Sequence, residues 1–574
     1  MTSNLWVGAG IILGVMASFS PGSVFTALLS AAVAAVLYRF SGLANRRFLL
    51  LLFLSALFLR VGVSTGLDLL SWKVAGELPH QDGPVQGWNL HISDKTRGYL
   101  KIGDSDYFSQ RGYATSQFVE GSDEPVLSFR INQYGKHGYI YCIGWFYHLF
   151  GFSPCAVKLI NCLLGALIAV LVFWVGQRCF SIQPARWAGI LTAFFPSLVL
   201  WSTTNLKEVP LTFFTLLILF LYIRFTETRN ARSRITLFLL GLGSLWVHAT
   251  FRDPSLSFLL AGSLLIAHVL ARGLRAHPHW TTAGVLMLLV IGVALCFWEP
   301  VGYRIRQILS IPFNWHIGFT TTPGSSYSFL PARFYEGGYQ WEWIKIGRMN
   351  LAIVLGMGRA VLHYLFEPFP WKISNVFQWF SYPQLIVWYA LFPFAVIGMI
   401  QGLRKRQENT FALILAAVIF TGIGSLANGN IGTVFRLRDM VTPFFLIFGC
   451  AGLYEVVRRR SYAKGSILLR QLSRLFEWAR RHLGSAAQRA ARAVRNGPAV
   501  KTLRDEPLRS AGLLGIAALL THAVFTSVLG RTLTDWIEIT RRVLGVIALL
   551  AVFHRGNWEQ VKESSRVLQF LQRT

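Results

Sequence analysis

Two carboxylates stand one residue apart in Gly103-Asp104-Ser105-Asp106-Tyr107-Phe108, within a polar stretch, 71–136, between long apolar segments. A carboxylate beside aromatic and basic neighbours can act as a general base toward an acceptor hydroxyl. The plainer reading is a solvated loop acid. The stretch ends in Tyr134-Gly135-Lys136-His137-Gly138-Tyr139, where an ammonium meets the next apolar run with His137 beside it. Lys136 either snorkels to an interface or stabilises an anion where water is excluded. Lys207-Glu208 occupies a short turn between two apolar runs and is either a local ion pair or a pair that orients a substrate. Arg436 and Arg438 precede a late apolar run. A guanidinium there can fork onto phosphate oxygens or anchor an interface, and the sequence leaves both open.

These groups need a scaffold, and the composition says which kind. The chain has 574 residues, 53% of them hydrophobic and 14% charged, with a mean hydropathy of +0.46. Repeated apolar runs of roughly 20 residues match the length that crosses a hydrocarbon core as helix. The expected fold is an all-α polytopic membrane protein of about 14 transmembrane helices, with outer loops that form a partly helical cap. A net charge of +29 does not imply nucleic acid, because cytoplasmic loops collect Lys and Arg and anionic headgroups attract them. The six cysteines lie mostly in or beside apolar runs without a CxxC pair and read as small buried hydrophobes. No cleaved signal peptide is evident before the first apolar run.

Taken in order, 1–47 reads as an N-terminal membrane hairpin around the Pro21-Gly22 break. Phe48 to Gly66 then crosses outward and the polar stretch 71–136 opens. The remaining runs are Cys155–Val175, Trp187–Trp201, Val209–Ile223, Ile235–Thr250, Ser255–Ala271, Thr281–Trp298, Pro383–Ile400, Thr410–Ala427 and Met440–Val457. They alternate so that Arg-rich short loops fall on one side and both long stretches, 71–136 and 299–382, fall on the other. A helix near Leu351–Leu365 is expected in the second. Asp104, Asp106, Lys136, Glu208, Arg252, Asp253, Arg436 and Arg438 then share the outer face. Residues 458–510 read as a basic cytoplasmic amphipathic and linker segment, and 511–574 as a C-terminal hairpin and tail.

Gly103 to Phe108, Tyr134 to Tyr139 and Trp145-Phe146-Tyr147-His148-Leu149-Phe150-Gly151-Phe152-Ser153 together resemble the opening of GT-C glycosyltransferases. The likeness is to the branch of lipid A aminoarabinose transferases, protein mannosyltransferases and bacterial lipopolysaccharide glycosyltransferases. It continues through Phe195-Pro196 and Leu206-Lys207-Glu208, and Gly432 to Arg438 followed by Pro443-Phe444-Phe445 is similar to a late segment of such enzymes. The resemblance implies an inverting transferase that takes a sugar from a polyprenyl-phosphate donor to an outer-face glycan, glycolipid or protein. It implies a base at Asp104 or Asp106, with Tyr107 or Phe108 as the accompanying aromatic. It also implies a phosphate contact at Lys136, with His137 adjacent, and donor or acceptor contacts at Lys207, Glu208, Arg436 and Arg438. The usual acid doublet is here Asp-Ser-Asp. Basic side chains can replace a metal where a lipid monophosphate leaves, and a divalent cation (Mg2+ or Mn2+) at Asp104/Asp106 is the alternative. The implied location is a bacterial plasma membrane with the site on the periplasmic face.

Other classes predict other features. A lipid-linked glycan transporter or flippase needs charged residues along a path inside the spans, and here most charges sit at loop edges. A polysaccharide polymerase or ligase is a nearer rival. Walker, HExxH and dinucleotide-binding glycine patterns are absent from the sequence.

Overall fold

The computed structural model describes residues 20–40, 43–77, 105–119, 137–252, 254–297, 299–321, 325–335, 351–369, 382–405 and 408–462. Among them the architecture is nearly all helical. In chain order the helices are α1 (Pro21–Phe40), α2 (Leu43–Glu77), α3 (Ser105–Val119), α4 (His137–Phe150), α5 (Pro154–Cys179), α6 (Ile182–Phe194), α7 (Pro196–Ser202), α8 (Glu208–Glu227), α9 (Ala231–Phe251), α10 (Pro254–Ala276), α11 (Pro278–Phe297), α12 (Glu299–Thr320), α13 (Leu351–Phe366), α14 (Tyr382–Lys405), α15 (Glu408–Ala427), α16 (Ile431–Arg438) and α17 (Thr442–Tyr462). Eight are long and apolar enough to span a membrane, or up to nine if α16 and α17, bent by 61°, form one span. The protein is an integral membrane protein. The run before Ser20 and the segments 463–510 and 511–574 lie outside the described residues.

Two compact units divide the chain, and α5 contributes residues through Ala166 to the first and the remainder to the second. In the first unit α3 and α4 cross at glycines. A Cβ on Gly112 would sit 2.2 Å from Ile143 Cγ2, and one on Gly144 would sit 2.6 Å from Thr115 Cβ. Such small-residue faces let backbones approach where no hydrophobic effect drives helices together. Deeper in this unit Lys158 Nζ meets Asp68 Oδ1 at 2.5 Å, with both side chains at most 5% exposed. Two opposite charges inside apolar helices need such pairing.

In the second unit α14 and α17 make an equally close crossing. A Cβ on Gly398 would fall 2.1 Å from the Phe448 carbonyl oxygen, and one on Gly452 would fall 1.9 Å from that of Phe394. Pro254 starts α10 at the first helical position, where its missing N–H costs nothing. Asp253, in the turn expected between α9 and α10, lies outside the described residues.

Three boundaries differ from the sequence reading. The run Trp187–Trp201 is not continuous: α6 stops at Phe194, and Phe195 is extended (φ −68°, ψ 118°) before Pro196 opens α7. Proline excludes the helical region for the residue before it. Helix α2 does not end at Gly66 but continues to Glu77, 35 residues in all, or about 52 Å against a hydrocarbon core of about 30 Å. The opening of the second long stretch is also helical, as α12, with Pro312 inside it.

Candidate active site

In the first unit Asp106 lies in the first turn of α3, and Asp104 immediately precedes that helix and falls outside the described residues. Lys136 likewise falls outside them, one residue before α4, whose first residue is His137. The side chains of Asp106 and His137 are not among those described. The two stretches nevertheless meet. Phe108, 2% exposed, packs edge-on to Tyr139 with ring centroids 5.2 Å apart. The start of α3 is thereby set against the start of α4. Tyr107 stands edge-on to Phe108 at 5.4 Å, and the Arg111 guanidinium lies over its ring at 5.2 Å.

The second unit assembles the other candidates. Glu208 occupies the first turn of α8, where the helix dipole favours a carboxylate. Arg436, near the C-terminal end of α16, brings its Nε within 3.5 Å of Glu208 Oε1, with side-chain exposures of 13% and 5%. Lys207 and Arg252 also act electrostatically on that carboxylate, and Glu208 Oε2 has no hydrogen-bond partner among the described residues. Arg252 Nη1 reaches the Met440 sulfur at 3.4 Å. The start of α8 and the end of α16, far apart in sequence, therefore meet through Glu208 and Arg436.

Arg438 is placed differently. Residues two apart on a helix point to nearly opposite sides, and Arg438 is 1% exposed. Its Nη1 donates to the carbonyls of Leu365 (3.0 Å) and Glu367 (2.7 Å), and its guanidinium lies 5.3 Å from the Trp388 ring. It holds the end of α13 against α16. The adjoining Asp439 accepts from Ser197 Oγ at 2.8 Å and Thr442 Oγ1 at 3.2 Å. Gln384 Oε1 accepts the Ser197 backbone N–H at 2.7 Å, which satisfies a donor that the break at Pro196 leaves at the start of α7. Ser197, Gln384 and Asp439 escaped the sequence reading. A lone acid at a helix joint was the one available signal.

Among the described residues no group of three or more His, Cys, Asp or Glu could hold a metal ion. The Mg2+ or Mn2+ alternative concerns Asp104 and Asp106, whose side chains lie outside the described set.

Residues 138–298 match the family profile of dolichyl-phosphate-mannose-protein mannosyltransferases. This stretch runs from α4 through α11 and agrees with the GT-C resemblance read from the sequence. No curated protein matches the chain significantly in sequence. Among solved structures the chain is similar to ArnT from Cupriavidus metallidurans bound to undecaprenyl phosphate, at 15% identity and a TM-score of 0.36, over 85% of this chain and 79% of that one. It is also similar to the archaeal oligosaccharyltransferase AglB from Archaeoglobus fulgidus, in complex with an inhibitory peptide and a dolichol-phosphate. There the identity is 12% and the TM-score 0.38, over 81% of this chain and 56% of that one.

Proposed function

We propose that the protein is an inverting glycosyltransferase that moves a sugar from a polyprenyl-phosphate donor to a glycan, glycolipid or protein acceptor on the outer, periplasmic face of a bacterial plasma membrane. The observation that carries this reading is the cluster around Glu208. Arg436 Nε lies 3.5 Å from the Glu208 carboxylate, and Lys207 and Arg252 also act on it, so basic side chains gather in a neighbourhood largely closed to water. Such a setting favours a dianionic or developing phosphate far more than bulk water does.

In the reaction the acceptor hydroxyl attacks the anomeric carbon and its proton passes to a carboxylate, Asp104 or Asp106. The bond between that carbon and the phosphate oxygen breaks with inversion, and polyprenyl phosphate leaves. A cation stabilises the charge on the leaving phosphate: Lys136 is the candidate that the sequence resemblance offers, and Arg436, whose guanidinium Glu208 orients, is the candidate in the second unit. Arg438 serves the fold instead, since it is buried and its Nη1 is committed to two backbone carbonyls.

Sugar transfer by the purified protein in nanodiscs tests this. The protein is supplied with polyprenyl-phosphate sugars and a membrane glycolipid extract, and wild type is compared with Asp104→Asn and Asp106→Asn. One substitution should abolish transfer while the protein keeps its melting behaviour. If both variants transfer as wild type does, the loop acids are only solvated and the enzyme reading fails.

A further inference from the structure

A network of buried amides in the first unit grips the helix that follows Asp104. Ser109, one turn into α3, donates its hydroxyl to the Ser105 carbonyl at 3.0 Å. With its proton so committed, Ser109 Oγ can only accept, and Asn205 Nδ2 donates to it at 2.7 Å. This fixes which way the Asn205 amide faces. It also leaves Asn205 Oδ1 buried without a partner among the described residues, a penalty that an apolar side chain would avoid.

The turn that carries Asn205 is itself held. Asn161 on α5 is 1% exposed. Its Nδ2 shares two hydrogens among the carbonyls of Thr204 (2.7 Å) and Leu206 (3.1 Å) and the Tyr139 hydroxyl (3.1 Å). Tyr139 in turn packs on Phe108. The body of α3 is pinned where Gly112 and Gly144 cross. Further along α3, Tyr113 packs edge-on to Phe152 at 5.0 Å. At the end of α3 that carries Asp106, Asn205 on Ser109 and Tyr139 on Phe108 hold the first turn.

We propose that Asn205, seated by Asn161, is a positioning residue for transfer: it fixes the first turn of α3, the turn whose backbone carries Asp106, one of the two candidate bases. This rests on the reading that Asp104 or Asp106 is the base. A misplacement of about 1 Å at a reacting group can cost on the order of 100-fold in rate.

The test uses the full-length protein with Asn205→Ala, Ser109→Ala and the double variant, beside Asp104→Asn and Asp106→Asn. Transfer kinetics are combined with hydrogen exchange of the α3 amides. Each single variant should lower kcat about 10- to 100-fold with donor and acceptor KM little changed. The double variant should lose no more than the worse single, because both remove one contact. The first turn of α3 should exchange faster in all three. Losses that multiply in the double variant, or a lower melting temperature with kcat per folded molecule intact, would overturn the positioning role. Normal kcat in Asn205→Ala beside a dead Asp variant leaves the base reading standing and removes the proposal. Normal transfer by both Asp variants removes the base reading and the proposal with it.

Discussion

Replacing Arg436 with Gln separates two roles that one ion pair could be filling. Breaking a fully buried pair by deleting one partner costs about 3–5 kcal/mol. Here the guanidinium side is 13% exposed and the contact is 3.5 Å, while Lys207 and Arg252 continue to act on Glu208. The loss of stability should therefore be smaller, about 1–3 kcal/mol. Glu208→Gln should cost a similar amount, and the double variant should fall short of the sum by about 1 kcal/mol. Transfer should behave otherwise. If Arg436 steadies the departing phosphate, its loss should lower kcat by about 100-fold or more. Glu208→Gln, which leaves the guanidinium in place, should lose about 10-fold or less from the looser orientation alone. Arg436→Lys should recover only part of the rate, because an ammonium lacks the planar fork. Thermal unfolding in detergent and initial rates at saturating donor measure both quantities. Stability coupling near zero would refute the pairing, and Arg436→Gln with a normal kcat would refute the phosphate role.

Two further outcomes concern the fold. Gly398→Leu or Gly452→Leu should prevent accumulation of a monodisperse protein, because a Cβ at either position meets a facing backbone oxygen at 2.1 Å or less that no rotamer change can move. Gly422→Ala, with nothing within 4 Å of the added carbon, should be neutral or stabilising by about 0.5–1 kcal/mol. The second outcome is a pH dependence centred on His316, which is fully buried. Its Nδ1–H donates to the Asn428 carbonyl at 2.8 Å. Its Nε2 accepts from the Tyr335 hydroxyl at 2.9 Å, and that hydroxyl already takes the backbone N–H of Phe329 and Leu330. Burial lowers this imidazole from 6.5 to about 4; the Asn428 bond opposes the shift and nearby His363 assists it. Between pH 6.5 and 4 the unfolded chain binds a proton that the folded one refuses, so stability is lost as pH is lowered through that window, by up to about 3 kcal/mol. Melting at pH 7.5 and 4.5 should show a smaller drop in His316→Asn than in wild type; equal drops would remove His316 as the cause.

How much of this could be read beforehand depended on whether one segment held the signal. The apolar runs Val209–Ile223, Thr410–Ala427 and Ser255–Ala271 became α8, α15 and α10 with their ends shifted by a few residues, since hydropathy and span length are local properties. The stop at Phe195 was equally local, because proline constrains its predecessor in any context, and reading through it was avoidable. Helix α12 was less accessible: its glutamate, arginines and internal Pro312 look like loop in the sequence. Charges inside spans sit between these cases. Asp68 and Lys158 each break an apolar pattern, which demands a partner, but neither residue says which one.

The candidate site follows the same logic at longer range. Position alone singled out Glu208, Lys207 and Arg436, all at helix ends beside a membrane boundary, yet no spacing rule joins the start of α8 to the end of α16. The choice between Arg436 and Arg438 was half-determined in sequence, because an i, i+2 pair on one helix cannot put both guanidinia on one face. Which face met Glu208 needed the packed unit. Asn205 and Asn161 had no sequence signal at all. A buried amide looks like any other polar residue in a turn until its acceptors are known. Their importance rests on the particular contacts they make around α3 rather than on residue type. That is why their kinetic coupling to Ser109, more than any single loss of activity, separates a positioned base from a carboxylate that merely lies nearby.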